Sequence, residues 1–172
     1  MINEASSWVK FCINNIIREN KGKIALDLAC GSGRHSIYLS NMGYKVISVD
    51  LNILYLLSFS EYNIFKIQSD IETPTRWPFK KNSFDLVVVT NFLNRAIFQN
   101  IKKVIKKNGH LIYETFGEGH EKFGKPKNKS YLLRKGELLQ LTQNMSVIYY
   151  EEIKVINFEK KFIKHRILCK NV

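Results

Sequence analysis

The stretch Ala25-Leu26-Asp27-Leu28-Ala29-Cys30-Gly31-Ser32-Gly33-Arg34-His35-Ser36 constrains the fold of this chain more than any other. An apolar run meets two glycines one residue apart, and a helix-compatible segment follows. That order predicts a buried strand, a sharp turn and the start of a helix. Gly31 and Gly33 let the backbone turn tightly and leave main-chain N–H groups open to a ligand, with no Cβ in the way. Seventeen residues after Gly33, a second apolar strand, Tyr44 to Val49, runs into Asp50. A carboxylate at that place can accept both hydroxyls of a ribose, the logic of nucleotide-type α/β sites.

Two cofactor chemistries use such a layout. A dinucleotide fingerprint asks for G-x-G-x-x-G, and here Ser36 stands at the third glycine position. Asp27, four residues before Gly31, would face the pyrophosphate of a nicotinamide cofactor with a negative charge, whereas a ligand carrying an ammonium group would welcome it. The run Asp27 to Gly33 followed by Asp50 closely resembles the nucleotide-binding motif of class I S-adenosylmethionine (SAM)-dependent methyltransferases. The resemblance implies a single-domain, Rossmann-like, doubly wound α/β sheet, mostly parallel, with SAM as cofactor.

The rest of the chain is consistent with one domain over residues 1–172. At 172 residues it can bury a core, and its 45% hydrophobic and 12% aromatic content is that of a globular protein. No apolar run approaches the ~20 residues of a membrane span, and Met1-Ile2-Asn3-Glu4 does not read as a secretory leader. Cys12, Cys30 and Cys169 are scattered, in no metal-ligand spacing, and point to a reducing compartment with the cytoplasm as the default. We expect no metal. The net charge of +12 suggests nucleic acid. Against that, Lys (21), Ile (20) and Asn (16) dominate while Ala occurs four times, the usage an A/T-rich genome imposes without selection for a basic surface.

Along the chain, Ser6 is placed to cap a first helix (segment 1–21) with Trp8, Val9, Cys12, Ile13, Ile16 and Ile17 on one face and Lys21-Gly22 closing it. The core, 22–116, reads as strand Lys23–Ala29, helix Arg34–Asn41, strand Tyr44–Val49, helix Leu51–Ser60 and strand Asn63–Ser69. A proline-containing loop over Glu72–Ser83 follows, with Trp77-Pro78-Phe79 packed on the sheet, then strand Phe84–Thr90. A helix from Arg95 to Lys107, stopped by Asn108-Gly109 as a C-cap, leads to strand His110–Phe116. Residues 117–135, glycine-rich and polar, leave the carboxyl edge of that strand and read as a lid or as a surface connection. Leu132–Thr142 reads as a helix, and Met145–Ile156 with Asn157–Lys170 as an antiparallel closing pair.

Four segments match the methyltransferase family in order: the Asp27 turn, Asp50, Asp70-Ile71, and the strands at Phe84 and His110. The stretch from Tyr113 to Leu138 is similar to a small bacterial branch related to the tellurite-resistance type. The resemblance implies Asp27 near the SAM ammonium, Ala29, Gly31 and Gly33 along the methionine and ribose, and Asp50 on the ribose hydroxyls. It further implies Leu51 against the adenine face, Asp70 and Ile71 on the adenine edge, and Thr90 and Asn91 beside the methionyl side. For a general base the residue types offer His35, Glu114 and His120, and Asn91 is a fourth catalytic candidate by its place beyond the strand at Phe84. Where amino-methylating relatives carry Asn-Pro-Pro-Tyr, this chain has Asn91-Phe92-Leu93-Asn94, without prolines or the final aromatic.

The expected function is methyl transfer from SAM to a small-molecule acceptor by in-line displacement. An RNA or protein acceptor, suggested by the charge, and a non-catalytic SAM-binding partner subunit are the alternatives. A nicotinamide oxidoreductase conflicts with Asp27 and Ser36. Sequence leaves the acceptor and the oligomeric state open.

Overall fold

A computed structural model describes residues 4–16, 22–73, 75 and 77–172. Its strands are β1 (Ile24–Leu28), β2 (Lys45–Asp50), β3 (Ile64–Gln68), β4 (Phe84–Thr90), β5 (Ile105–Phe116), β6 (Met145–Ile156) and β7 (Lys161–Asn171). Its helices are α1 (Ser7–Ile16), α2 (Arg34–Asn41), α3 (Ile53–Leu57), α4 (Phe98–Val104) and α5 (Glu137–Leu141). The strands form one sheet in the order β3-β2-β1-β4-β5-β7-β6. β1 to β5 pair in parallel, and β7 runs antiparallel to both β5 and β6. This is the expected doubly wound sheet with its antiparallel closing pair.

Alternation along the strands divides the core into two layers. Leu26, Leu28, Val87, Val89, Leu111 and Tyr113 face α4 and α5, whereas Ala25, Val46, Leu86, Val88 and Ile112 face α1 and α2. Both faces are covered, which is why β4 could be a continuous run of apolar residues. Each fully buried aliphatic side chain here contributes roughly 1.5–3 kcal/mol. Trp77 and Phe79 pack on the first layer, as the proline loop led one to expect.

Ser6 caps α1, its Oγ accepting the Trp8 and Val9 N–H groups at 3.2 and 3.4 Å. Of this predicted helix, Ile17 on its apolar face and Lys21 of its closure lie outside the described residues.

Three predicted helices are shorter than their apolar content suggested. The segment Leu51–Ser60 is helical only over α3, because Asn52 is extended and caps from outside, its Oδ1 accepting the Leu54 N–H at 2.9 Å. The Arg95–Lys107 helix is α4 alone, and Asn108-Gly109 is no helix cap. Ile105 is already a strand residue opposite Phe84, and its carbonyl accepts from the Asn171 side chain at 2.9 Å. The next β5 pair is His110 with Leu86, so residues 106–109 bulge out of the ladder, with Asn108 left-handed at φ 64°. In Leu132–Thr142 only α5 is helical: Leu133 bridges to Gly117, and Gly136 is left-handed at φ 72°.

The segment 117–135 is tied down at both ends. Gly117 donates to the Ile163 carbonyl (3.1 Å), Glu118 to the Leu133 carbonyl and Leu133 to the Phe116 carbonyl (both 2.9 Å). Arg95 closes the far end, reaching the carbonyls of Ser130 and Leu132 and both oxygens of buried Glu137.

Candidate functional site

β1 and β4 sit side by side where the strand order reverses, the place at which a doubly wound sheet opens a crevice beyond its carboxyl edge. Both strands leave the sheet through a left-handed, non-glycine residue, Ala29 and Asn91, each at φ 54°. Such backbone is uncommon for residues with a Cβ and concentrates at functional sites. Each turn is tied to its neighbouring strand: Cys30 donates to the Val49 carbonyl at 3.0 Å, and Asn91 to the Glu114 carbonyl at 2.8 Å. Gly31 and Gly33 follow at φ 54° and 77°. A Cβ on Gly33 would stand 2.5 Å from the Phe59 ring, so the turn needs glycine there for space as well as for conformation.

Beside this turn opens a cleft of about 200 Å³ walled by Ala29, Asp50, Leu51, Asp70, Ile71, Glu72 and Phe92. Five of these are predicted site residues, gathered from the ends of β1, β2 and β3. Asp50 is fixed by the backbone, its Oδ2 accepting the Gly31 N–H at 2.8 Å and its Oδ1 the Asn52 N–H at 2.9 Å. Each oxygen retains a lone pair for a ligand hydroxyl. Asp70 accepts the Glu72 N–H at 3.0 Å, a local turn in which Ile71 is buried and Asp70 half-exposed. Leu51 is 64% exposed, an apolar side chain on the wall of the cleft.

The remaining expected cofactor contacts are not walls of this cleft. Gly31 and Gly33 shape the turn. Asp27 lies beneath α2, 1% exposed, accepting the Ser36 hydroxyl at 2.6 Å, while Ser48 donates to Ser36 at 2.7 Å. Burial pushes the Asp27 carboxyl up to about 7, outweighing the opposing Ser36 hydrogen bonds and the Arg34 charge. Thr90 lies at the end of β4 with its Oγ1 3.2 Å from His35 Nδ1. Glu72 and Phe92 had no assigned role; Phe92 was marked only by its position beyond β4, and Glu72 only by following Asp70-Ile71.

The candidate bases are engaged within the fold. His35 Nε2 accepts the Ser6 N–H at 3.2 Å, which puts the ring proton on Nδ1, facing Thr90. Burial, helped by the Arg34 and Lys164 charges, pushes His35 down to about 3, so the ring is neutral. Glu114 Oε1 accepts from Ser6 Oγ at 3.0 Å and from Lys164 Nζ at 2.9 Å, and Arg166 lies 3.6 Å from Oε2. His120 stacks on Phe116 with ring centroids 4.1 Å apart, its Nδ1 accepting the Ile163 N–H at 3.3 Å and its Nε2 3.1 Å from the Lys125 carbonyl. Burial lowers its pKa as well. Asn91 is placed by its backbone at the crevice. Among the described residues no group of three or more His, Cys, Asp or Glu side chains could hold a metal ion, and no helix is long and apolar enough to cross a membrane.

Residues 26–113 match a family described as methyltransferase domain. The chain is 33% identical over 123 residues to YqeM of Bacillus subtilis, named as a methyltransferase, covering 63% of this chain and 47% of YqeM. It is 35% identical over 92 residues to TehB of Haemophilus influenzae, named as an S-adenosyl-L-methionine-dependent methyltransferase, covering 50% of this chain and 32% of TehB. The chain thus spans half or less of the length of these relatives. Among solved structures, the fold is similar to a SAM-dependent methyltransferase from Methanosarcina mazei, with a TM-score of 0.74 and 17% identity over 99% of both chains. It is also similar to crystalline H. influenzae TehB, with a TM-score of 0.76 and 23% identity over 96% of this chain and 61% of TehB.

Proposed function

Because the chain belongs to the methyltransferase-domain family, whose cofactor is SAM, we propose that it transfers a methyl group from SAM to a small-molecule acceptor. The observation that carries this reading is the cleft in which Asp50 and Asp70, carboxylates from two adjacent strands, meet apolar Ala29, Ile71 and Phe92. An adenosine needs that mixture: acceptors for two hydroxyls and an amine, and apolar walls for a flat ring. The residues present fit.

In this reading Asp50 takes the ribose hydroxyls and Asp70 with Ile71 the adenine edge, while Leu51 and Phe92 cover the ring. Asp27 supplies negative charge beneath the methionyl portion, and the glycine turn lets main chain approach closely. When bound, the sulfonium supplies a methyl group on an already activated leaving group. What remains for the protein is to align the acceptor and exclude water, an effect worth roughly 7–11 kcal/mol. His35 holds its only proton toward Thr90 and is neutral, so we assign it a positioning role between α1, α2 and β4. The acceptor then brings its own lone pair, and no side chain here is assigned as its base. Three buried free thiols support a reducing, cytoplasmic setting.

Calorimetric titration with SAM, S-adenosylhomocysteine and NAD in parallel tests the reading. Micromolar binding of both sulfur ligands and none of NAD supports it. Absence of binding by either sulfur ligand overturns it.

An RNA acceptor is the second reading, favoured by the net charge of +12. Neutralised phosphates release counterions, so this reading requires nucleic-acid affinity that falls steeply with salt.

A further inference from the structure

A second cleft lies one strand along from the first, and its chemistry is different. It has a volume of about 280 Å³ and is walled by Ser6, Ser7, Arg34, Glu114, Phe116, Ile153, Phe162, Lys164 and Arg166. The two clefts meet at neighbouring strand ends: Phe92 of the first follows Asn91, whose N–H donates at 2.8 Å to the carbonyl of Glu114, a wall of the second. Three cations, Arg34, Lys164 and Arg166, line this cleft with a single lining carboxylate, Glu114. Lys164 and Arg166 are largely withdrawn from water, their side chains 17% and 19% exposed. Glu114 takes Lys164 at 2.9 Å, and Glu151 takes Arg166 from outside the cleft at 2.6 Å. Arg34, half-buried in the first turn of α2, has no ion pair among the described residues. Its charge acts on Asp27, which is buried and already bonded to Ser36. The cleft therefore holds one surplus cation in a partly dehydrated setting, where a charge-assisted hydrogen bond is strong. Beside Ser6 and Ser7, its uncharged walls are apolar: half-buried Ile153 and Phe162, and Phe116, whose ring lies 5.2 Å from Lys164 Nζ.

We propose that this cleft holds the methyl acceptor, and that the acceptor is a small carboxylic acid. Its carboxylate meets the Arg34 guanidinium, and its apolar body lies on Phe116, Ile153 and Phe162. This names the substrate class for the methyl transfer proposed above and rests on that reading. A planar guanidinium matches a carboxylate in two parallel hydrogen bonds, which an amide of the same shape cannot reproduce.

Benzoate and butyrate, with benzamide and butyramide as neutral counterparts, are titrated into the protein with and without S-adenosylhomocysteine. The acids bind and the amides bind at least about tenfold more weakly, the loss expected of one charged hydrogen bond. Arg34→Gln, which unpairs no buried carboxylate, weakens acid binding by about tenfold. Arg34→Lys restores part of it, and S-adenosylhomocysteine affinity stays within about twofold in both variants. Equal binding of acids and amides, no binding of either acid, or no effect of Arg34→Gln overturns the proposal. A parallel loss of S-adenosylhomocysteine affinity in Arg34→Gln also overturns it, by assigning Arg34 to the cofactor's own carboxylate. Failure of wild-type protein to bind S-adenosylhomocysteine counts against the methyltransferase reading instead, while the acid titrations still judge the cleft.

Discussion

The hydroxyl of Ser36 donates to the carboxylate of Asp27 at 2.6 Å, inside the contact between α2 and the sheet. Ser36 stands where a dinucleotide fingerprint has its third glycine, and the structure shows what a side chain does there. Its hydroxyl adds a hydrogen bond to a buried carboxylate that also receives one from the Ser36 backbone. One position thus separates the two cofactor chemistries and holds the acid that distinguishes them. Ser36→Ala is expected to destabilise the protein by about 1–3 kcal/mol at pH 8, since a hydrogen bond to a buried charged group is lost. Denaturant titration measures it.

With its carboxyl raised from 3.8 to about 7, Asp27 is a poised proton carrier. In the proposed reading a cationic ligand lies above it and favours the ionised form, so SAM binding near pH 7 is expected to release a proton. Calorimetry in phosphate and in Tris buffers should give different heats for wild type and equal heats for Asp27→Asn. For stability the sign runs the other way from most carboxylates. The contribution of the neutral acid is complete below about pH 3.8 and is lost as pH rises through 7. Asp27→Asn, which keeps an acceptor for Ser36, should therefore gain stability relative to wild type between pH 5 and 8.

Asp50→Ala should weaken SAM binding by about 1–3 kcal/mol, because a charged acceptor of two hydroxyls disappears. Asp50 also holds the Gly31 and Asn52 amides. Asp50→Asn keeps one of those bonds and separates ligand recognition from loop support. Unchanged affinity in both variants would place the ribose elsewhere.

Glu137 is a buried carboxylate shared by Arg95 and Arg134. Burial opposes its ionisation, but hydrogen bonds from Arg95 and Arg134 prevail and hold it down at about 2, below the ordinary 4.5. Its stabilising contribution is complete above about pH 4.5 and is lost as pH falls from there toward 2. Glu137→Gln should cost about 2–3 kcal/mol at pH 7, the low end for breaking a buried pair because Arg95 keeps solvent contact. The difference from wild type should shrink by pH 3 in denaturant midpoints.

His35, lowered from 6.5 to about 3 mainly by burial, stays neutral through the physiological range. Protonation favours the unfolded chain, so the contribution of the neutral ring is complete above about pH 6.5 and is lost as pH falls toward 3. Nitrogen-15 NMR of the ring should show one neutral tautomer from pH 5 to 8. An imidazolium signal at pH 6 would refute the Ser6–His35–Thr90 arrangement.

Gly33→Ala places a Cβ 2.5 Å from the Phe59 ring at φ 77°. A cost of about 1–3 kcal/mol is expected from the strained backbone alone. Phe59→Ala in the same chain should relieve the clash while leaving the conformational part, and thermal unfolding of the two variants separates the terms.

By itself the sequence determined the sheet, the turn and the carboxylates at the strand ends. These follow from short-range rules: apolar runs make strands, glycines make the turn, and a residue at a strand's carboxyl end must face the crevice once the strands lie parallel. Asp50 was legible for that reason, Ala29, Leu51, Asp70 and Ile71 through the family resemblance, and they meet in one cleft. The lengths of the helices were not legible, because what stops them is distant. Asn171 claims the Ile105 carbonyl from 66 residues away and turns a predicted helix end into a bulged strand. Nor could spacing show that Glu114 would sit between Ser6 and Lys164, or that His35 would join Ser6 to Thr90. Those side chains become neighbours only when α1 and β7 close on opposite ends of the chain. The neutral state of His35 is set by the water that this packing removes, which the tertiary structure alone decides.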